Sequence, residues 1–271
     1  MAFLLSRTRV IFTALTLLLL GARTPALAQG GGATPTPPTA DAAAPIDLTG
    51  YWVAVVTEDW RWRMVTPAKG DYASIPITPE AKKAADLWDP AKDEAAGEQC
   101  KSYGAPALMR IPARLHVTWQ DDVTLKVEVD AGTQTRLLHF GNWKASTGSP
   151  TLQGDSVALW ETPRAQAGGN GNAAATAKAK SGDLKVVTDH LRAGYLRKNG
   201  VPYSANALLT EYWDVITERH LSAEHNGEQW LVITSIVTDP QYLQTPWITS
   251  LHFRKETSGA KWDPQPCSAR W

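Results

Sequence analysis

Between Arg114 and Asp130 the chain alternates. Leu115, Val117 and Trp119 fall on one side, and Arg114, His116 and Thr118 on the other. After Gln120-Asp121-Asp122 the rhythm resumes, with Val123, Leu125, Val127 and Val129 against Thr124, Lys126, Glu128 and Asp130. Successive side chains of a strand point to opposite faces, so this pattern predicts two half-buried strands. A three-residue turn would pair Trp119 with Val123 and bring every apolar residue against another. It would also set Arg114 opposite Glu128 and His116 opposite Lys126.

Further strands are expected over 133–140, 156–160, 183–188, 208–217, 229–238 and 247–254. Gly, Pro, Asn or Asp punctuates most of the gaps. Eight or more such strands joined by short turns form a barrel or a sandwich. The chain is therefore read as all-β: an antiparallel, lipocalin-like barrel, with a β-sandwich as the alternative. One or two short helices are expected near 79–97. Thr78 can cap, Pro79 suits a first turn, and Ala81, Ala84, Ala85 and Trp88 recur at helical spacing before Asp89-Pro90 breaks it.

Arg7 and Arg9 precede an apolar run over 10–20, and Pro25-Ala26-Leu27-Ala28 carries small residues at both positions that cleavage requires. That order predicts a secretory signal peptide at 1–28. A disordered tether rich in Gly, Ala, Thr and Pro is expected at 29–45. A single β domain then fills 46–271, interrupted by a flexible surface insertion at 164–182. No later stretch reaches the roughly 18 apolar residues of a membrane helix. Lys plus Arg and Asp plus Glu both number 27, and this zero net charge argues against nucleic acid as a partner. Export implies an oxidising compartment, periplasmic or extracellular, where Cys100 and Cys267 are expected to form one disulfide.

The densest unusual stretch is Glu58-Asp59-Trp60-Arg61-Trp62-Arg63-Met64. Read as a strand, it puts Trp60 and Trp62 on one face and Arg61 and Arg63 on the other. It would then be an aromatic wall with guanidiniums for an anionic or aromatic ligand, or a core strand with snorkelling arginines. The polar hairpin face of Arg114, His116, Glu128 and Asp130, extended by Arg136, is either a solvated surface or a charged lumen holding an acid/base histidine. A third candidate is the loop 189–197, with Tyr195 and Arg197, followed by Thr210-Glu211-Tyr212. Glu211 shares a strand face with Leu209 and Trp213, so it must find a partner or rise in pKa. The six histidines are scattered, and His220 and His225 fit no recognised ligand spacing, so no metal is expected. No glycine-rich phosphate loop opens a helix, and no cofactor is implied.

Several segments carry a resemblance. They are Gln99-Cys100, Asp130-Ala131-Gly132, Gln153-Gly154…Ser156…Trp160-Glu161, Leu184-Lys185-Val186-Val187-Thr188, Thr210-Glu211, and Asp239-Pro240-Gln241-Tyr242…Pro246-Trp247. From Gln99 onward the chain resembles a large family of exported, functionally uncharacterised bacterial β proteins. The resemblance implies export and β architecture, and no particular reaction.

The expected function is binding of a small, partly apolar ligand in an aromatic-lined β pocket, an idea suggested by twelve tryptophans. Its candidate contacts are Trp60, Arg61, Trp62, Arg63, Arg114, Arg136, Tyr195 and Arg197. The alternatives are a hydrolase, lyase or isomerase using His116, Glu128 and Glu211, and an envelope structural or interaction module. A closed barrel with His116 and Glu128 inside would favour the enzyme.

Overall fold

A computed structural model describes residues 38–162, 181–217 and 227–270. The 1–28 segment, the insertion up to Lys180, and His220 and His225 lie outside the described residues.

Nine strands close into one barrel: β1 (Gly50–Ala54), β2 (Arg114–Asp121), β3 (Thr124–Val129), β4 (Gln134–Phe140), β5 (Asp155–Glu161), β6 (Asp183–Asp189), β9 (Leu208–Thr217), β10 (Gln229–Thr238) and β11 (Trp247–Glu256). Around the wall the order is β1-β11-β10-β9-β6-β5-β4-β3-β2. β1 closes the ring by pairing antiparallel with both β11 and β2. The short strands β7 (Gly194–Arg197) and β8 (Val201–Tyr203) form a separate hairpin. The barrel is thus all-β as expected, but one neighbour pair, β4 with β5, is parallel. The crossover 141–154 makes that possible, because a parallel pair cannot be joined by a tight turn.

The β2–β3 hairpin forms with a register two residues away from the expected one. Trp119 faces Leu125, Val117 faces Val127 and His116 faces Glu128. Asp121 pairs with Thr124 across a two-residue turn, its carboxylate accepting from the Val123 N–H at 2.9 Å. The ladder is irregular between Trp119 and Asp121, where Gln120 is the additional residue. A slip of two keeps the paired residues from Leu115 to Trp119 and from Leu125 to Val129 on their faces, whereas past the irregularity Val123, expected inside, is exposed and Thr124, expected outside, is buried.

The inward faces are apolar and filled. Trp52, Leu115, Val117, Leu125, Val127, Leu138, Leu184, Val186, Trp213, Leu231, Ile233 and Phe253 are all buried in one core. Trp119, Phe140 and Trp160 pack along one end as tilted rings, with centroids 5.5 and 5.4 Å apart. There α1 (Ala40–Ala43) lies against the barrel, with the Ala40 carbonyl accepting from the Trp160 indole N–H at 2.8 Å and its N–H donating to the Asp122 carbonyl. Ordered structure therefore begins ahead of Ile46, inside the stretch expected to be tether. Ala44 is buried, and that apolar contact holds the segment down.

At the opposite end a second core caps the barrel. It joins Leu191, Leu196, Val201, Tyr203, Leu209, Val237, Leu243 and Trp247. The predicted helix is α3 (Pro79–Asp86), capped by the Thr78 hydroxyl accepting from the Ala81 N–H at 3.1 Å; α4 (Pro90–Ala95) follows. Between the two cores runs a polar belt of one inward residue per strand: Arg136, Ser156, Thr188, Glu211 and Ser235, on β4, β5, β6, β9 and β10. Arg136 donates to both Glu211 oxygens, at 3.1 and 2.6 Å, and to Thr188 Oγ1 at 3.2 Å. Both members of the pair are completely buried. Arg136 thus belongs to the inside of the barrel, and not to the polar hairpin face on which it was placed from sequence.

The Trp60–Arg63 stretch is a single helical turn, α2, and not a strand. Asp59 opens it in left-handed backbone (φ 48°), which no strand accommodates. The expected faces are therefore not kept: Arg63 is buried and Trp62 half-buried, while Trp60 and Arg61 are exposed.

Candidate functional site: a cleft at the barrel rim

At the capped end, β1 finishes with Val53 and Ala54, Pro112 and Ala113 lead into β2, and Asp130-Ala131-Gly132 turns β3 into β4. These segments, with Val56, Tyr103, Lys198 and the C-terminal strap 263–268, line a cleft of ≈ 660 Å³. That lies within the roughly 300–1,000 Å³ of small-molecule sites.

The strap is pinned to the rim. The Gln265 N–H donates to the Asp130 carbonyl at 2.8 Å, and Thr133 Oγ1 donates to the Gln265 carbonyl at 2.9 Å. Cys267 is bonded to Cys100, as the sequence predicts. Gly132 sits against the Tyr103 ring at φ +79°, and a Cβ there would come within 2.3 Å of Tyr103 Cδ1. Only glycine supplies both the conformation and the room.

Three titratable groups of the cleft are governed by burial. Asp130 accepts from the Arg114 N–H at 2.8 Å, yet desolvation outweighs that bond and raises its carboxyl above the usual range. Lys198 Nζ donates to the Tyr103 hydroxyl at 2.7 Å and lies 4.5 Å from that ring's centroid. Burial pushes the Lys198 amine down to about 7 and the Tyr103 phenol up. Each shift favours the neutral form. The cleft therefore sets the hydrogen-bonding groups of Lys198, Tyr103 and Asp130, with Arg114 and Asp263, beside the apolar Val53, Ala54, Val56, Pro112 and Ala113.

The residues singled out from sequence are dispersed among the rim cleft, the outer face, the barrel interior and the cap. Arg114 lines the cleft, its guanidinium paired with Glu256 at 2.9 Å. His116 and Glu128 do meet, at 3.1 Å, but on the outer face, where Lys126 shares the same carboxylate oxygen and Tyr51 stacks on the imidazole at 4.2 Å. Glu211 is on the inner face with Arg136, so the barrel wall separates it from His116 and Glu128. The proposed acid/base trio is not a constellation. Tyr195 donates to Asp93 at 2.9 Å and Arg61 pairs with Asp71 at 3.0 Å. Trp62, Arg63 and Arg197 converge on the cap, with the Arg197 guanidinium 5.4 Å from the Trp62 ring.

Tyr103, Lys198 and the strap escaped sequence reasoning. Lys198 precedes Asn199-Gly200, a turn signal that carries no hint of burial. The cysteine pair held the available clue, since it places 263–268 beside Tyr103. The cleft's lining includes Tyr103 and no tryptophan, which departs from the aromatic-lined pocket expected. Trp52, Trp119, Trp160, Trp213 and Trp247 serve the cores, and Trp62 the cap, instead.

No family model, curated protein or solved structure matches the chain. Among the described residues no helix is long and apolar enough to cross a membrane.

Proposed function

We propose that this is an exported protein that holds a small, partly apolar ligand in the rim cleft. The observation that carries the reading is the ≈ 660 Å³ cleft itself, with apolar walls and the buried polar anchors Lys198, Tyr103 and Asp130. An apolar body would rest against Val53, Ala54, Pro112 and Ala113, and a hydrogen-bonding group would meet Lys198 or Asp130. Export is supported by the charged, apolar and small-residue order over 1–28 and by the disulfide.

The test is native mass spectrometry of the protein purified from its own envelope fraction, compared with its denatured mass. Val56 lines the cleft and is 37 % exposed, so Val56→Trp should fill the cleft without entering the core. Extra mass on the native protein that vanishes on denaturation, and that Val56→Trp loses, is the expected result. A bare polypeptide mass, or equal extra mass on Val56→Trp, would overturn the proposal.

A further inference from the structure

The cap gathers more buried positive charge than its neighbours neutralise. Arg63, Arg110 and Arg197 are 2 %, 8 % and 4 % exposed. All three line one small cavity, together with Lys198, Trp62 and Ser102. Arg63 donates to the carbonyls of Arg110 and Val55 at 2.9 and 2.8 Å, and Arg197 donates to the Ala73 carbonyl and the Ser74 hydroxyl at 3.0 and 3.1 Å. Arg110 donates to Asp59 at 3.1 Å, and its guanidinium lies 5.1 Å from the Trp247 ring.

Of the carboxylates in reach, only Asp59 is committed to the cluster, through Arg110. Glu58 is 3.9 Å from Arg63 but binds the His252 imidazole at 2.5 Å. Asp71 pairs with the exposed Arg61, and Asp59 is itself half exposed. Arg63 Nη2, Arg110 Nη1 and Arg197 Nε are buried without a hydrogen-bond partner among the described residues. Buried charges of one sign persist only when something of the other sign meets them. The stress registers on the groups themselves: burial, then the Arg110 charge, pushes Arg197 down to about 10 and lowers Arg63 as well. Asp59 and Ser74, which accept from Arg110 and Arg197, are both held in left-handed backbone, at φ 48° and 67°.

We propose that this cavity is a carboxylate-binding site, with Arg63, Arg110 and Arg197 as the ligating guanidiniums and Trp62 as its aromatic wall. Size selects the class of anion. The cavity measures ≈ 30 Å³, and one water needs roughly 10–15 Å³ on the same measure. The space therefore fits two oxygens of a planar head and not the four of a phosphate. Planar forked donors match a carboxylate bidentately. The site is separate from the rim cleft, although Lys198 lines both, and the inference stands without the proposed function.

The experiment is a thermal-shift titration of the full chain with sodium formate, sodium acetate, sodium chloride and sodium phosphate at matched ionic strength. Arg110→Lys and Arg197→Gln are run in parallel, with circular dichroism to confirm that each is folded. A ligand that binds only the native state raises the melting temperature saturably with its concentration. Formate and acetate should do so, chloride and phosphate should not, and each variant should need at least tenfold more formate for half the shift. Absence of a formate response in the native protein, an equal response to chloride or phosphate, or an unchanged midpoint in a folded variant would overturn the assignment. If one variant fails to fold, the other and the anion selectivity of the native protein still decide.

Discussion

Glu211 stands between Leu209 and Trp213 on an inward strand face, and the barrel meets its charge with a single guanidinium held at two points. Removing one member of a completely buried pair strands the other, so Glu211→Gln should lower stability by about 3–5 kcal/mol in urea denaturation. Replacing both, as Arg136→Met with Glu211→Leu, should recover most of that loss, because the desolvation cost disappears along with the attraction. A double variant as unstable as the single would show that the pair contributes more than it costs. Lys198 supplies a pH signature. Its folded pKa of about 7 lies below the ordinary lysine value, so between about pH 7 and 10.4 the unfolded chain binds more protons. Stability attributable to this group therefore rises with pH across that window, by up to about 1.4 kcal/mol per unit, and is at its lowest below pH 7. Lys198→Met should remove this rise, measured as the difference between native and variant unfolding curves at pH 6, 8 and 9.5. Parallel curves would sink the assignment. At this scale Glu211's need for a partner was legible from its apolar neighbours. The identity of the partner was not, because Arg136 on β4 and Glu211 on β9 have two strands between them in the wall and meet only inside the closed barrel.

At the scale of elements, sequence reasoning succeeded where the periodic segments are long. β9 and β10 have the expected bounds, since ten alternating residues leave little freedom of face or phase. The hairpin register slipped because both pairings match apolar with apolar, and only the Asp121 turn distinguishes them. α2 was unreadable because four residues cannot display a helical period, and its alternating Trp and Arg imitate a strand. β1 has five residues and β8 has three with a central proline, both below what alternation can certify. The predicted helix offers a local check. Thr78→Ala removes the acceptor for the Ala81 N–H, and should cost about 1 kcal/mol of stability by denaturant midpoint. No loss would mean that the Thr78 carbonyl and Pro79 suffice to start α3.

For the whole molecule, closure was the least legible property. Whether a face lines a lumen, a core or solvent depends on which strands become neighbours, and β1 meets β11 across nearly the full length of the chain. The polar hairpin face therefore could not be placed in advance, and neither could a cleft made from six separated segments. The disulfide was legible, and it spans 167 residues. Closing a loop of that size in the unfolded chain is worth up to roughly 4–5 kcal/mol. Cys100→Ala with Cys267→Ala should lower stability toward that extent, and should also weaken ligand retention by freeing the strap that walls the cleft. Titration of the denatured, unreduced protein should find no reactive thiol; two would refute the link.

β1 is held on one side by β2, the next barrel strand in the chain, and on the other by β11, which follows all the other barrel strands among the described residues. The ring consequently cannot shut before β11 has been made. Until β1 and β11 meet, the sheet keeps an open edge on β1 and another on the strand at its far side, each a template for a wrong partner. The seam between β1 and β11 thus makes closure of the barrel wait on its most distant strands. A chaperone that shields strand edges would be needed only until that seam meets.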